Sequence, residues 1–283
     1  MIKNKLYTYT ILLAGIISTG CKHAPEKKEP VIEIGFLENQ EPEIVLSEEE
    51  IEKNRIKAEN EDWVNVNVDR DFLLGNVTRK DNPLFVQVDD DHTERRIFLL
   101  HPVYEAYQKM YKAALTDSVE LVITSGHRTF VEQVCEWELR WNNPRTETDF
   151  ENDTEKARFI LQYRSLPGTT RHHWGTDIDL NSFELAYYET EEGKKVYTWL
   201  KKNAATYGFY QPYTAIDENR PSGYQEEKWH WSYQPLSRLM LIKYLDLITI
   251  DDIKGFKGDT AAKKLPIMEA WVCGINPDIM KEE

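Results

Sequence analysis

Hydrophobic positions recur with two different periods along the chain. Large side chains at helical spacing predict four helices, at residues 101–114, 130–141, 153–163 and 194–207. Short apolar runs or alternations predict three strands, at residues 119–124, 178–180 and 229–233. Because these strands are short, few and interleaved with helices, the pattern favours an α+β fold in which helices flank a small antiparallel sheet.

The first twenty residues have the layout of a secretory signal. Lys3 and Lys5 precede an apolar run over residues 6–17, and small residues then lead to Cys21. A run of this length is too short to cross the roughly 30 Å hydrocarbon core as a helix. Small residues before a cysteine resemble the lipobox of bacterial lipoproteins, so we expect residues 1–20 to be removed and Cys21 to carry lipid. The alternatives are an uncleaved anchor and an ordinary signal followed by a chance cysteine.

Composition divides the rest of the chain into three parts. Residues 21–60 are rich in acidic residues and proline and lack a sustained apolar period, which predicts an acidic tether. Within it, Ser47 and Glu50 have the spacing of a capping box for a short helix. Residues 61–248 contain the predicted helices and strands and are long enough for one domain. We expect residues 249–283 to form a C-terminal extension packed on that domain.

The charge balance excludes one class of function. The chain has 49 acidic and 35 basic residues, a formal net charge of −14. Binding to nucleic acid requires a concentrated basic surface, so we expect no nucleic-acid partner. Hydrophobic residues make up 41% of the chain, as in globular proteins, and no stretch beyond the signal could span a bilayer. We expect a monomer, and the lipid on Cys21 as its attachment to the membrane.

Two cysteines remain if Cys21 carries lipid. Cys135 and Cys273 could form one disulfide, which would suit an exported protein, or could remain two separate thiols. Sequence separation does not tell whether their Cα atoms come within bonding range. Both alternatives therefore stay open at this point.

Two polar clusters together suggest a metal site. In the first, LPGTTRHHWGTDIDL, His172 precedes Asp179 by seven residues, and Gly175 between them allows the chain to turn. A histidine and an aspartate at this spacing are by themselves more often a surface pair than metal ligands. The second cluster, EEKWHWSY, adds Glu227 and His230. Two imidazoles, one carboxylate and a further glutamate match a catalytic zinc site, with three ligands, a position for water and a general base.

These clusters resemble the zinc signature of the VanY-type D-alanyl-D-alanine carboxypeptidases, a family of the lysostaphin, D-Ala-D-Ala carboxypeptidase and hedgehog superfamily. The matching residues of the two motifs are Thr170, His172, Gly175, Asp177 and Asp179, and then Glu227, Trp229 and His230. A third cluster, SGHRTFVEQ at residues 125–133, is similar to the family's Ser-Gly-Tyr-Arg segment with a downstream glutamine. The resemblance covers roughly residues 70–245 and implies a hedgehog/D-Ala-D-Ala peptidase-like fold whose sheet carries the zinc site.

The resemblance also implies an activity and a set of site residues. It makes His172, Asp179 and His230 the ligands of Zn²⁺ and Glu227 the catalytic base. It makes Arg128 the partner of a substrate carboxylate or of the developing oxyanion, for which its planar fork is suited. A structural salt bridge is the alternative for Arg128. Further substrate contacts are expected from Ser125, Gln133, Asp177 and Trp229.

The implied reaction is removal of the terminal D-alanine from a peptidoglycan stem peptide. An L,D-carboxypeptidase or a peptidoglycan endopeptidase could use the same site, because the motifs define the mechanism and leave the substrate pocket undefined. A catalytically silent zinc-containing module that binds the cell wall is a different class, and Glu227 argues against it because a structural zinc site needs no general base. The implied substrate is consistent with the predicted lipid anchor, because an exported lipoprotein on the periplasmic or cell-surface side and peptidoglycan both lie outside the cytoplasmic membrane.

Two positions depart from the family pattern. Asp177 stands where the family has alanine, and strand alternation puts its side chain on the same side as that of Asp179. It could orient a ligand histidine, bind an amine of the substrate or replace Asp179 as ligand. His127 stands where tyrosine is common. We expect this second change to affect how substrate is held rather than the metal chemistry.

Overall fold

The computed structural model describes residues 46–143 and 150–282. Its α-helices, in chain order, are α1 (Glu48–Asn67), α2 (Arg70–Leu73), α3 (His101–Thr116), α4 (Phe130–Trp141), α5 (Asp153–Ile160), α6 (Glu191–Asn203), α7 (Gln234–Leu247) and α8 (Asp259–Ala262). Its strands are β1 (Phe85–Gln87), β2 (Phe98–Leu100), β3 (Ile123–Ser125), β4 (Asp177–Leu180), β5 (Phe209–Tyr210) and β6 (His230–Tyr233). The predicted signal and Cys21 lie outside the described residues.

The strands form two antiparallel sheets. Strands β1 and β2 make a hairpin-like pair, and the larger sheet has the order β3-β4-β6-β5 with every neighbour antiparallel. Helix α7 packs on β6 and on the 3-10 turn Arg171–Trp174, so it supports the sheet from one side. The predicted α+β fold with a small antiparallel sheet flanked by helices is confirmed.

Helix α1 begins with the expected capping box. The Ser47 side chain accepts a hydrogen bond from the Glu50 backbone, and the Glu50 carboxylate accepts one from the Ser47 backbone. The helix continues to Asn67 and lies against α7, where the Lys243 ammonium donates to the Val64 carbonyl at 3.1 Å. The boundary expected at residue 60 therefore falls inside this helix.

Most predicted elements differ from the observed ones only at their ends. Helix α4 begins and ends at the predicted residues, and a capping box between Thr129 and Glu132 fixes its start. The strand predicted over residues 119–124 is wrong in position, since pairing begins only at Ile123. Leu121 is nevertheless fully buried, so hydrophobicity before β3 reflects core packing rather than a strand.

The core continues into the C-terminal segment. Ile253, Leu265 and Ile279 are buried within the same hydrophobic cluster as the sheet and helices. Cys135 and Cys273 are both exposed free thiols, so they form no disulfide here. Within the described ranges, no helix has the length and apolar character needed to cross a bilayer.

Candidate metal centre

A tight turn brings the first two candidate ligands together. The 3-10 turn Arg171–Trp174 is capped by Thr170 and ends at Gly175, whose φ of +69° is a left-handed conformation that glycine adopts without strain. The chain then reverses into β4. As a result the His172 Nε2 lies 3.3 Å from the Asp179 Oδ2.

Strand pairing brings the third ligand. Asp179 on β4 is the register partner of His230 on β6, and the His230 Nδ1 lies 3.7 Å from the Asp179 Oδ1. One ligand atom from each of His172, Asp179 and His230 lies within 4.8 Å of the other two, and all three residues are buried. The Asp179 Oδ1 is buried without a hydrogen-bond partner. An anionic oxygen left unpaired beside two imidazoles is what a divalent cation would satisfy, so the donor set fits zinc.

The second nitrogen of each histidine has a different partner. The His172 Nδ1 lies 2.9 Å from the Gly126 carbonyl oxygen, so this nitrogen carries the proton and the Nε2 lone pair faces the cluster. The His230 Nε2 lies 2.9 Å from the Asp177 Oδ2. Each ring is thereby held from behind, with its other nitrogen turned toward Asp179.

Glu227 lies at the edge of the cluster. Its Oε2 is 2.8 Å from the His230 Nδ1, and its side chain is 15% exposed while those of the three candidate ligands are almost fully buried. Its backbone is fixed because its N–H donates to the Tyr213 carbonyl at 2.9 Å. A carboxylate that reaches both the ligand cluster and solvent is suited to proton transfer.

Arg128 points toward the same cluster. One of its terminal nitrogens lies 4.0 Å from the Asp179 Oδ2. Its guanidinium donates to the Gln133 Oε1 at 2.9 Å and to the Ser125 Oγ at 3.1 Å. Ser125 and Gln133, predicted to contact substrate, therefore hold Arg128, and Gln133 is itself fully buried and donates to the Ser165 carbonyl.

Asp177 lies behind His230 and has no exposed surface. Its carboxylate accepts hydrogen bonds from the Arg171 Nε at 3.0 Å, the His230 Nε2 at 2.9 Å, the Thr176 Oγ1 at 2.7 Å and the Ser232 Oγ at 2.9 Å. Of the three roles considered from the sequence, this geometry corresponds to the orientation of a ligand histidine. The predicted contact between Asp177 and substrate does not agree with a side chain enclosed on all sides.

The ionisation of this cluster follows from its buried charges. Burial lowers the pKa of His230, but its hydrogen bonds to Asp177 and Glu227 outweigh that effect and raise the pKa to about 10. Burial raises the pKa of Asp177, yet the Arg171 charge and the His230 hydrogen bond hold it below its usual value. The pKa of Asp179 is likewise lowered, against burial, chiefly by His172. The buried charges therefore favour the anionic forms of Asp177 and Asp179, and metal binding at an imidazole competes with its proton.

The tryptophans near the site divide into two groups. Trp174 and Trp231 are buried core residues. Trp229 is half-buried, and its ring packs edge-on against that of Phe183, with centroids 6.3 Å apart. Phe183 is one of the exposed large hydrophobic residues. Trp229 is thus the tryptophan of this group that retains an accessible surface next to the ligand His230.

Three residues of the site were not singled out from the sequence. Arg171 and Ser232 bind Asp177, and the ring of Tyr213 lies edge-on to His230 with centroids 5.0 Å apart. Arg171 lies inside the first motif, so an arginine between Thr170 and His172, close in sequence to Asp177, was the available signal. Tyr213 lies in a loop far from the motifs, and nothing in the local sequence marks it.

Comparison with known proteins identifies related sequences. A family model described as VanY, D-alanyl-D-alanine carboxypeptidase, matches residues 96–236. The chain is 27% identical over 128 residues to a D-alanyl-D-alanine carboxypeptidase of Enterococcus faecalis, in an alignment that covers 44% of each chain. It is 30% identical over 86 residues, 26% of this chain, to an uncharacterized protein of Haemophilus influenzae. The matched regions span 44% and 64% of these two relatives.

Several solved structures are similar in a more distant way. The vancomycin-resistance D,D-pentapeptidase VanY in complex with Zn(II) has a TM-score of 0.44 at 20% identity, covering 62% of this chain and 88% of that chain. VanYB in complex with D-alanine-D-alanine has a TM-score of 0.45 at 22% identity, covering 60% and 88%. The LD-carboxypeptidase LdcB has a TM-score of 0.40 at 22% identity, covering 53% and 65%.

Proposed function

We propose that this protein is a zinc-dependent D,D-carboxypeptidase that removes the terminal D-alanine from peptidoglycan stem peptides, and the match of residues 96–236 to the VanY D-alanyl-D-alanine carboxypeptidase family model supports this proposal. One observation supports this proposal above the others. His172, Asp179 and His230 converge within 4.8 Å, with Glu227 and Arg128 beside them. The three metal ligands, the general base Glu227 and a guanidinium that can bind a substrate carboxylate therefore lie close together.

The residues divide the work of hydrolysis between them. Zinc held by His172, Asp179 and His230 would polarise the substrate carbonyl and lower the pKa of water toward about 7. As the water oxygen bonds to the carbonyl carbon, Glu227 accepts its proton and returns it to the leaving nitrogen when the C–N bond breaks. The partial exposure of Glu227 supports this role, because the group must meet both water and substrate.

Arg128 supports the preference for a chain terminus. Gln133 and Ser125 accept hydrogen bonds from two of the five N–H groups of its guanidinium, and these bonds fix the plane of the guanidinium. The Arg128 side chain is 23% exposed, so the guanidinium can still be reached from solvent. A charged fork in a fixed orientation suits a substrate that ends in a carboxylate.

The proposal includes a cellular setting. We place the protein outside the cytoplasmic membrane, attached through lipid on Cys21 and acting as a monomer, on the strength of its N-terminal sequence. Metabolic labelling with an alkyne fatty acid tests the anchor. Wild type should be labelled and Cys21→Ala should not, and an unlabelled wild-type protein would overturn this part of the proposal.

A matched pair of variants tests the reaction. Glu226 is adjacent to Glu227 but bonds Tyr197 instead of His230. With the full chain in detergent, we expect wild type and Glu226→Gln to release D-alanine from a muramyl pentapeptide at similar rates. Glu227→Gln should keep its zinc and lose roughly 10²- to 10⁴-fold in rate.

Other results of these substrate assays would indicate a different peptidase activity at the same site. Release from a tetrapeptide but not from the pentapeptide would identify an L,D-carboxypeptidase. Fragments released only from intact sacculi would identify an endopeptidase. A zinc-loaded wild type that cleaves none of these substrates would overturn the enzymatic proposal in favour of a wall-binding module.

A further inference from the structure

Asp177 lies between two buried residues, the candidate ligand His230 and Arg171. On one side its Oδ2 meets the Nε2 of His230, and on the other the same oxygen meets the Nε of Arg171 at 3.0 Å. The Arg171 guanidinium also donates to the Ser232 Oγ at 2.6 Å and lies over the Trp174 ring, 4.9 Å from its centroid. A chain of buried groups therefore runs from Arg171 through Asp177 to His230.

The carboxylate of Asp177 has no capacity left for another partner. An ionised carboxylate only accepts hydrogen bonds and has about four lone-pair positions. Here Arg171 and His230 bond one oxygen, while Thr176 and Ser232 bond the other. Asp177 therefore serves neither as a metal ligand nor as a contact for an amine of the substrate.

These hydrogen bonds determine which nitrogen of His230 can bind metal. Because Asp177 only accepts, the His230 Nε2 must carry a proton and donate it. A cation must then bind at the Nδ1, the nitrogen that faces the Asp179 Oδ1 at 3.7 Å and lies 2.8 Å from the Glu227 Oε2. The two nitrogens point to opposite edges of the ring, so Asp177 and the ligand cluster lie on opposite sides of His230.

We infer that Asp177, held by Arg171 and Ser232, is a positioning residue that presents the Nδ1 of His230 to the metal. The inference rests on the proposed zinc site. It sets the two ligand histidines apart, because His172 is oriented by the neutral Gly126 carbonyl and His230 by a carboxylate. A carboxylate behind a ligand histidine holds the ring in place and makes it a stronger donor to the metal.

Zinc affinity of the full chain tests the inference without reference to peptidase activity. In a chelator competition assay, Asp177→Asn should bind zinc roughly 10- to 100-fold more weakly than wild type, as is typical when an outer partner of a ligand is lost. Because Asp177→Ala alone would leave Arg171 buried without a partner, the second variant is Asp177→Ala with Arg171→Met. It should show at least as large a loss in affinity.

A control separates positioning from general destabilisation. Tyr107→Phe removes a buried hydrogen bond to the Leu121 carbonyl, in which no candidate ligand takes part. It should lower the melting temperature and leave zinc affinity unchanged. Zinc affinity within twofold of wild type in both folded Asp177 variants would overturn the inference.

Nuclear magnetic resonance gives a second readout. Long-range ¹H–¹⁵N spectra of the zinc-loaded wild type should show His230 with a proton on Nε2 and metal on Nδ1, and the opposite assignment would also overturn the inference. Both measurements report on metal binding alone. A protein that passes them but releases no D-alanine would overturn the proposed function and leave the role of Asp177 standing.

Discussion

Asp179 and His230 face each other directly across the antiparallel pair β4/β6. Two residues back along β4, Asp177 is paired in the same way with Ser232. Side chains of register partners lie on the same face of a sheet, and so do those of residues two apart on one strand. The same face therefore carries two adjacent rows, one that offers ligands and one that supports them.

The row of Asp179 and His230 extends to a third strand. Ser125 at the end of β3 is the register partner of Asp179, and its hydroxyl accepts a hydrogen bond from Arg128. The proposed metal ligands and the proposed carboxylate-binding arginine are thus organised by one line of pairing across β3, β4 and β6. A shift of register by one residue in either pair would turn this set of side chains to the other face.

Zinc should stabilise the fold through the three candidate ligands. Zinc at a hundredfold excess over its dissociation constant would add about 2.7 kcal/mol, or roughly 5–10 °C in melting temperature for a domain of this size. Differential scanning fluorimetry with zinc and with chelator measures the shift. His172→Ala should lose it, whereas His101→Gln should keep it because His101 is exposed and lies outside the ligand cluster. An equal shift in both variants would contradict the assigned ligands.

Removal of the Arg128 charge should affect substrates according to their C-terminus. A hydrogen bond to a charged group contributes about 1.5–3 kcal/mol, so Arg128→Ala should lower kcat/KM for a free D-alanine carboxylate by roughly 10- to 100-fold. A peptide that ends in an amide should be a poor substrate for wild type and should lose little more in the variant. Steady-state kinetics on the two peptides measure the difference. Equal losses on both would assign Arg128 to the oxyanion or to the structure instead.

Substitution of two glycines, Gly75 and Gly255, should show how closely Gly75 packs against the His173 ring. Gly75 and Gly255 both have positive φ, +80° and +93°. A Cβ at Gly75 would lie 2.3 Å from the His173 Nδ1, whereas a Cβ at Gly255 would meet nothing within 4 Å. Gly255→Ala should therefore lower the free energy of unfolding only by the backbone strain, about 1–2 kcal/mol. Gly75→Ala should lower it by clearly more, because the new methyl group would also meet the His173 ring.

Urea unfolding of the two glycine variants measures this difference. His173 ties two loops together, because its Nδ1 donates to the Arg128 carbonyl at 2.6 Å and its Nε2 accepts from the Gly168 backbone at 3.0 Å. Displacement of its ring would loosen the backbone that carries Arg128. Equal losses of stability in the two variants would show that the His173 ring can move aside without cost.

Buried tyrosines should make the fold sensitive to alkali. Three of them donate their hydroxyl protons to backbone carbonyls, namely Tyr107 to Leu121, Tyr188 to Leu180 and Tyr244 to Gly168. Burial raises the pKa of each phenol well above its usual value of about 10. Below pH 10 these phenols are protonated in both the folded and the unfolded chain. Above it the unfolded chain loses protons first, so the free energy of unfolding should fall as pH rises.

An alkaline titration checks this expectation. Absorbance at 295 nm should show the exposed tyrosines ionising first and a further group ionising only together with the loss of circular dichroism. Each of Tyr107→Phe and Tyr244→Phe should reduce that second step. Ionisation of all tyrosines near pH 10 with an unchanged circular dichroism spectrum would contradict the assigned burial.

Local patterns predicted the helices well and the strands less well. Residues 130–141 carry both a helical period and a capping box, and α4 has those bounds. Hydrophobicity at residues 119–122 predicted a strand, but Val119 and Leu121 are buried in the core before pairing starts at Ile123. Burial and pairing both favour apolar residues, so a short run cannot distinguish them.

The sequence by itself determined the proposed chemistry. Two imidazoles, a carboxylate and a further glutamate in two motifs match a catalytic zinc site, and the resemblance to the VanY-type family implied His172, Asp179 and His230 as its ligands and Glu227 as the base. Only the tertiary structure decided that Asp177 orients His230 and that Gln133 holds Arg128. The first contact joins residues 53 positions apart. Such contacts depend on strand register and side-chain packing, which the spacing within a motif does not contain.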